Sequence, residues 1–431
     1  GIDMSMTPND YSFNDALIEL VKEGRITEAR LDESVRRILT AKQKLGLLDN
    51  PYPNFDDFPK FGSEEHKNKS LQAAKESITL VKNENILPLS TSTKILVTGP
   101  GANSLNYLNG GWTHTWQGEE TKYNTIGKKT IQESLKLLSK NITYLEGSSL
   151  DSNINTLATL EEAKNHDVIV VCLTEAPATE GPADINSLDF PKAQQNLVRE
   201  LNKSGKPLVI ITTTARPRIM RDIEPLMDAI LLAYLPGNEG GTAIAETILG
   251  LNNPSGKLPF TYPKYQGLNI TYDHKHTEKT NRFLGQTSSL SEYDAKFKGQ
   301  LYQWDFGYGL SYSNFIYSNL KMDKKSYYKT DTLKIEVTVT NQSEIAGDEV
   351  IQIYCSDLVA SITPCVKRLR GFKKTHILPN QSKTINLSIP VEELAFVGSN
   401  NKWIVESGEF KLTTNKLTQN FEIKEKVVVK K

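Results

Sequence analysis

The hydrophobic periodicity changes once along this 431-residue chain, and that change limits the possible folds more than any other feature. Between about residues 70 and 265, short continuous β-branched runs at 94–98, 167–174, 208–212 and 229–233 alternate with helical spacing, as at 190–202 and 240–249. Runs such as VIVVCL carry no polar face, as expected of parallel strands covered by helices on both sides. This stretch therefore predicts an α/β domain with a mostly parallel sheet. After about residue 300 the period becomes two. Leu333, Ile335, Val337 and Val339 alternate with polar residues, as do Ile385, Leu387 and Ile389, then Phe410 and Leu412, with Leu378-Pro379-Asn380-Gln381 as a turn between runs. That pattern predicts an antiparallel β-sandwich of about 100 residues. The polar segment 266–300 between the two reads as a long connector.

Residues 14–46 read as two amphipathic helices. Ala16, Leu17, Leu20 and Val21 share one face before Gly24, and Leu31, Val35, Ile38 and Leu39 share another before Gly46. Two helices cannot form a domain, so their apolar faces need a partner. The Pro-rich stretch 50–59 (NPYPNFDDFP) reads as a linker. The chain opens on GIDMSM, with no initiator Met and no segment of signal-peptide type. The expectation is a start inside a longer protein.

Charge narrows the function. With 51 Lys+Arg against 51 Asp+Glu, the chain lacks the basic excess that binding to nucleic acid or an anionic membrane requires. Its longest apolar stretches, such as 229–235, fall well short of the roughly 18 residues that suggest a membrane span, which predicts a soluble protein. Three cysteines are too few and too scattered for a disulfide scaffold or a four-thiolate zinc site; Cys172 reads as a core residue, and Cys355 and Cys365 as a pair that either bonds or does not. The compartment stays open on these grounds.

Ligands of open α/β sheets bind beyond the carboxyl ends of the strands. The loop after the strand at 167–174 places Glu175, Glu180, Asp184 and Asp189 within fifteen residues. Such a loop is either simply solvated or carries a general acid/base, because protonating a leaving-group oxygen needs a positioned carboxylic acid. Glu180, among small residues in mid-loop, is the better-placed candidate. The loop after 94–98 spans 99–118 and holds Trp112 and Trp116 together with Asn106, Asn109, His114 and Gln117. Two tryptophans in a polar, Gly-rich loop either pack inward or form a platform for an apolar ring face whose edge is bonded by amides, a combination that sugars present. Gly99-Pro100-Gly101 is a poor dinucleotide motif, because Ser104 stands where the third Gly would fall. No histidine spacing suggests zinc, and no G-x-S-x-G follows a strand. No metal or other cofactor is expected.

Several segments, in order, resemble glycoside hydrolase family 3, which includes β-glucosidases and related exo-acting β-glycosidases. GRITEARLDESVRRILTAKQKLGLLDNPY is similar to the end of that family's N-terminal (β/α) barrel, and AAKESITLVKNENILPLS to the entry of its α/β sandwich domain. LLAYLPGNEGGTAIAETILGLNNPSGKLPFTYP resembles that domain's strongest motif; DFGYGLSYSNF and AGDEVIQIYCSDLVASITPCVKRLRGFKK resemble its fibronectin type III-like sandwich. The resemblance implies four segments: a barrel remnant with linker at 1–60, an α/β sandwich at 61–265, a connector at 266–310, and the fibronectin type III-like domain at 311–431. It implies retention, with an Asp nucleophile from the barrel and, in many members, a Glu acid/base from the second domain. Glu180-Gly181-Pro182-Ala183-Asp184 fits the acid/base loop, which makes Glu180 catalytic and places Asp184 near the sugar. GGWTHTWQG resembles a loop that supplies an aromatic wall, pointing to Trp116 for substrate binding with Trp112 as its packing neighbour.

The S-D-W-like nucleophile motif does not occur in these residues, so the resemblance implies that a barrel from the same gene or a companion chain supplies it, and that this chain alone is nearly inert. The implied substrate is a β-linked glucoside or oligosaccharide, and periplasmic or secreted placement is preferred over cytoplasmic. The competing reading is a non-catalytic carbohydrate-binding or accessory module.

Overall fold

The computed structural model describes residues 2–7, 9–267, 271–275, 302–425 and 427–429, and divides into two compact units, 1–67 and 68–431. The first unit holds α1 (Ser12–Lys22) and α2 (Glu28–Lys44). Thr27 caps α2 by accepting the Arg30 N–H, and Gly24 and Gly46 take the left-handed conformation that ends each helix. Asp3 accepts from Ser34 Oγ at 2.8 Å and Arg37 Nη1 at 3.0 Å, which ties the leading segment to α2. Among the described residues of this unit none is buried, so Val35, Leu39 and Leu45 lie open.

The second unit takes in most of α3 (Glu64–Ser77) and a six-stranded sheet: β1 (Thr79–Asn83), β2 (Ile95–Thr98), β3 (Ile142–Tyr144), β4 (Val168–Thr174), β5 (Leu208–Thr213) and β6 (Ala229–Leu232). The order is β1-β6-β5-β4-β2-β3, parallel throughout except for β1, which runs antiparallel to β6. The helices are α4 (Asn106–Asn109), α5 (Ile131–Leu138), α6 (Thr156–Ala163), α7 (Lys192–Asn202) and α8 (Gly240–Ile248). The unbroken apolar run of β4 follows from the two cores it serves. Val168, Val170 and Cys172 pack with residues of α3, α5 and α8, while Ile169, Val171 and Leu173 pack with residues of α6 and α7.

β3 leaves β2 on one side and β4 joins it on the other, so the strand order reverses between β2 and β4. A crevice outside the carboxyl ends of these strands is where such sheets bind ligands. Gly99, just past β2, is required there: at φ 91°, a Cβ would lie 2.6 Å from the Cys172 carbonyl oxygen.

β7 (Tyr262–Pro263) pairs with β8 (Tyr302–Trp304), and the chain then enters the β region: β9 (Phe315–Met322), β10 (Ser326–Tyr327), β11 (Thr332–Asn341), β12 (Gly347–Asp357), β13 (Arg368–Ile377), β14 (Ser382–Pro390), β15 (Phe396–Val397), β16 (Trp403–Val405), β17 (Gly408–Thr414), β18 (Leu417–Ile423) and β19 (Val427–Val429). Its sheets run β10-β18-β17-β12-β13, β14-β11-β9 and β15-β16-β19. The period-two residues of β11 face their counterparts on β14, Leu333 opposite Ile389 and Val337 opposite Ile385, inside one apolar core. The architecture is the α/β domain followed by the β-sandwich that the periodicity predicts.

Asn253 joins the two layers. It accepts from Ser311 Oγ and the Tyr312 N–H and donates to Ser313 Oγ and the Ala346 carbonyl, all within 2.8–3.0 Å. Lys257 pairs with Glu349 at 3.1 Å beside it. Most of the expected connector, 268–270 and 276–301, lies outside the described residues.

Candidate active site

The loops that follow β2 and β4 meet at the reversal of strand order. Gln117 joins them with both faces of its amide: Nε2 donates to the Thr179 carbonyl at 3.2 Å, and Oε1 accepts the Thr179 N–H at 2.9 Å. Within the first loop, Asn106 is buried and donates Nδ2 to the Gly118 carbonyl at 2.6 Å, and the Trp112 N–H bonds the Trp116 carbonyl at 2.9 Å. Gly118 has φ 77°, and a Cβ there would land on the Gly110 carbonyl, so the ends of the loop approach as closely as they do only with glycine.

These contacts reassign the amides. Asn106 and Gln117, read from sequence as groups for a ligand's edge, are spent within the protein: Gln117 on the Thr179 backbone, Asn106 on the Gly118 carbonyl and the Asn124 side chain. The tryptophans are not: Trp112 is 67% and Trp116 47% exposed.

Glu180 stands next to them. Its carboxylate is exposed, and the Trp116 indole Nε1–H donates to Oε2 at 3.1 Å. The residue has φ 55° and ψ −149°, a conformation that side-chain-bearing residues rarely adopt. Asp184 follows a single turn of 3₁₀ helix (Gly181–Ala183), is exposed, and makes no side-chain hydrogen bond among the described residues. Glu180 and Trp116 are thus brought into contact, whereas Asp184 shares their loop without a bond to either.

What fixes this loop is a residue that sequence reading grouped with the other acids. Glu175, the first residue after β4, is 6% exposed. Its Oε1 accepts the Ala215 N–H at 2.7 Å and the Arg216 N–H at 3.3 Å; its Oε2 accepts Arg216 Nε at 2.9 Å, Arg218 Nε at 3.0 Å and Arg218 Nη2 at 2.6 Å. The arginines pass the connection outward. Arg216 Nη1 donates to the Ala183 carbonyl at 2.7 Å, and Arg218 Nη1 to the Ser187 and Asp189 carbonyls at 3.4 and 3.2 Å. One buried carboxylate and two guanidinium groups therefore hold the chain on the far side of Glu180. The sequence trace of this hub was available as Arg216-Pro217-Arg218, three to five residues past the end of β5, on the loop that neighbours the one after β4.

Beneath the loops, the space lined by Tyr107, Gly110, Glu175, Arg216 and Leu235 amounts to about 10 Å³, the size of one water-sized probe. A sugar ring therefore cannot enter this space. The site is a surface bearing a carboxylate and two indoles, suited to one wall of a ligand pocket.

Elsewhere, all three cysteines are free thiols, which settles the question left by Cys355 and Cys365. No described helix is long and apolar enough to cross a membrane.

Residues 78–312 match the glycosyl hydrolase family 3 C-terminal domain, and residues 349–416 match the fibronectin type III-like domain. The chain is 39% identical over 435 residues to a lysosomal β-glucosidase of Dictyostelium discoideum, covering 95% of this chain and 51% of that protein. It is 32% identical to a periplasmic β-glucosidase of Salmonella typhimurium, covering 95% and 57% respectively. Among solved structures it is similar to the β-glucosidase of Listeria innocua in complex with isofagomine, with a TM-score of 0.81 and 28% identity over 94% of this chain and 57% of that one. The chain spans about half the length of the curated relatives it matches. Two domain matches in series, together with relatives aligned along 95% of the chain, lead to one family: this chain belongs to glycosyl hydrolase family 3.

Proposed function

We propose that the chain is the acid/base part of a retaining, exo-acting β-glycosidase of β-glucosidase type. The observation that carries this reading is Glu180, an exposed carboxylate at the reversal of strand order, with the Trp116 indole N–H on one oxygen. Glu180 protonates the glycosidic oxygen as the leaving group departs, then takes the proton from the water that resolves the glycosyl-enzyme. Trp116 offers its exposed face to the sugar or aglycone, and Asp184 supplies an acceptor to a sugar hydroxyl at the same loop.

Retention needs a second carboxyl about 5–5.5 Å from the first, acting as nucleophile. We assign that group to a (β/α) barrel outside these 431 residues, of which 1–60 would be the closing segment. The relatives' greater length supports the assignment, and so does the closed crevice, which leaves a second wall to be supplied by other residues.

In the enzyme that joins this chain to its barrel, Glu180→Gln is expected to slow hydrolysis of an alkyl β-glucoside far more than that of a p-nitrophenyl β-glucoside, whose leaving group needs no proton. Azide should restore turnover of the activated substrate. Equal, small losses on both substrates without azide rescue would make Glu180 a bystander. The exposed Trp112 and Trp116 favour a second reading, a sugar-binding module without catalysis. Calorimetric sugar binding by this chain, with no turnover when the barrel is present, would establish that one instead.

A further inference from the structure

The sandwich contains a cavity of about 190 Å³ where β12, β13 and β17 meet the β15–β16 hairpin and the loop around Cys365. That is ample for one aromatic ring, since roughly 150 Å³ accepts benzene in an apolar core. Its walls include Phe396, Trp403 and Phe410. A packing defect would need nothing more, but this cavity also holds two buried polar atoms without partners among the described residues. Arg370 donates only Nη2 to the Leu394 carbonyl at 3.3 Å; its Nε is sealed from solvent and bonded to nothing among the described residues. Asp357 accepts the Val359 N–H on Oδ1 at 3.2 Å, while its buried Oδ2 has no partner among the described residues.

A guanidinium Nε sealed from solvent with no acceptor among the described residues is expensive to retain, and a Leu or Met would fill the same volume without that penalty. The remaining cations of the lining are already engaged. Lys275 donates to the Thr363 carbonyl at 2.6 Å, and Arg368 lies 3.7 Å from Asp273. They contribute positive potential toward an anion without competing for it. Apolar and aromatic walls with a few unfilled polar groups are the composition of a small-molecule site.

We propose that this cavity binds a small hydroxylated aromatic carboxylate, its carboxylate on the Arg370 guanidinium, its hydroxyl donating to Asp357 Oδ2 and its ring between the aromatic walls. A guanidinium matches a carboxylate because its N–H groups diverge in one plane, and a hydroxyl matches a carboxylate acceptor. The site lies on the β-sandwich and does not depend on the role given to Glu180.

Isothermal titration calorimetry of this chain with 4-hydroxybenzoate near neutral pH is expected to show saturable one-site binding. 4-Hydroxybenzyl alcohol, which lacks the carboxylate, and the Arg370→Met variant with the full ligand should each lose about tenfold or more, since a site built around a hydrogen bond rejects the partner lacking it. Arg370→Met keeps the side chain's bulk, and its thermal midpoint should equal or exceed that of the parent. Asp357→Asn should weaken 4-hydroxybenzoate and leave benzoate unchanged.

Cys365 lines the same cavity and provides a measurement that needs no variant. Iodoacetamide labelling of Cys365 should slow in the ligand's presence, with half-protection at the calorimetric Kd. Absence of both heat and protection up to about 10 mM ligand, unchanged affinity in Arg370→Met, or binding that leaves Cys365 labelling unaltered would each overturn the assignment.

Discussion

Replacing Glu175 by Gln tests the hub on which the acidic loop rests. The side chains involved are 5% exposed for Glu175, 9% for Arg218 and 27% for Arg216, so the Glu175–Arg218 pair is buried and Arg216 is the wetter partner. Removing one member of a buried pair costs about 3–5 kcal/mol, because the other charge stays uncompensated. Gln keeps one carbonyl oxygen, which can retain the Ala215 and Arg216 N–H bonds, but turns an NH₂ toward the donors that now meet Oε2. Arg216 can rehydrate, whereas Arg218 cannot, which places the loss near 3 kcal/mol.

At roughly 2–4 °C per kcal/mol for a domain of 150–250 residues, the α/β domain should melt about 6–12 °C lower. Because the chain has more than one domain, the informative assay is hydrogen exchange at the β4 and β5 amides, which reports the unfolding free energy of the α/β domain by itself. Amides of 176–189 should also lose protection, as the anchors at Ala183, Ser187 and Asp189 loosen. Adding Arg218→Met to Glu175→Gln should recover 1 kcal/mol or more, because the stranded charge goes with it. A loss below about 1 kcal/mol, or a double variant no better than the single, would refute the account of Glu175 as a buried structural anion.

Two further outcomes follow from particular residues. Glu180→Gly should stabilise the chain by about 1 kcal/mol while Glu180→Ala does not, because only glycine relieves a backbone at φ 55°, ψ −149°, against a smaller entropic penalty in the unfolded chain; urea denaturation of both variants measures the difference. Burial pushes the Asp357 carboxyl up to about 6, with the Val359 N–H opposing and Glu406 adding to the rise. The folded chain therefore holds this proton at pH values where the unfolded chain, near 3.8, has lost it. Stability attributable to Asp357 is full below about pH 4 and declines as pH rises through 6. Asp357→Asn should flatten that part of the stability–pH curve by on the order of 1 kcal/mol, a figure kept below the full shift because the side chain is only partly buried.

Local pattern sufficed for the strands whose burial leaves an unbroken apolar run or a clean alternation. β4 was legible because each face of it meets a complete core, and β11 because one face alone does. β3 was not: it is a three-residue edge strand, none of it fully buried, with nothing to set it apart from neighbouring polar segments. β1 escaped as well, because TLVKN loses its apolar character after three residues, and its antiparallel pairing with β6 joins positions about 150 residues apart. In the candidate site, Glu180 and Trp116 were legible as residue types on strand-end loops. The division of labour among the polar residues was not, since an amide offered to a ligand and an amide bonded to Thr179 read identically in sequence. Glu175 and Glu180 likewise differ only in which residues fold against them.

That difference explains why the loop is built as it is. Two glutamates five positions apart have opposite environments: one is buried under five N–H donors, the other is exposed with a single indole donor. In the acid/base role proposed for Glu180 the carboxylate must reach its ligand, so it cannot be immobilised by burial. Rigidity has to come from elsewhere, and the chain supplies it on either side of Glu180, through the Gln117 amide on Thr179 and the Arg216 guanidinium on Ala183. With residues 179 and 183 both pinned, the intervening backbone has little freedom, and Glu180 is forced into a conformation it would otherwise avoid. The strain is sustained by the hub below it. Loosening Gln117 or Arg216 should therefore let Glu180 relax toward negative φ, away from the indole of Trp116, before the sheet itself begins to open.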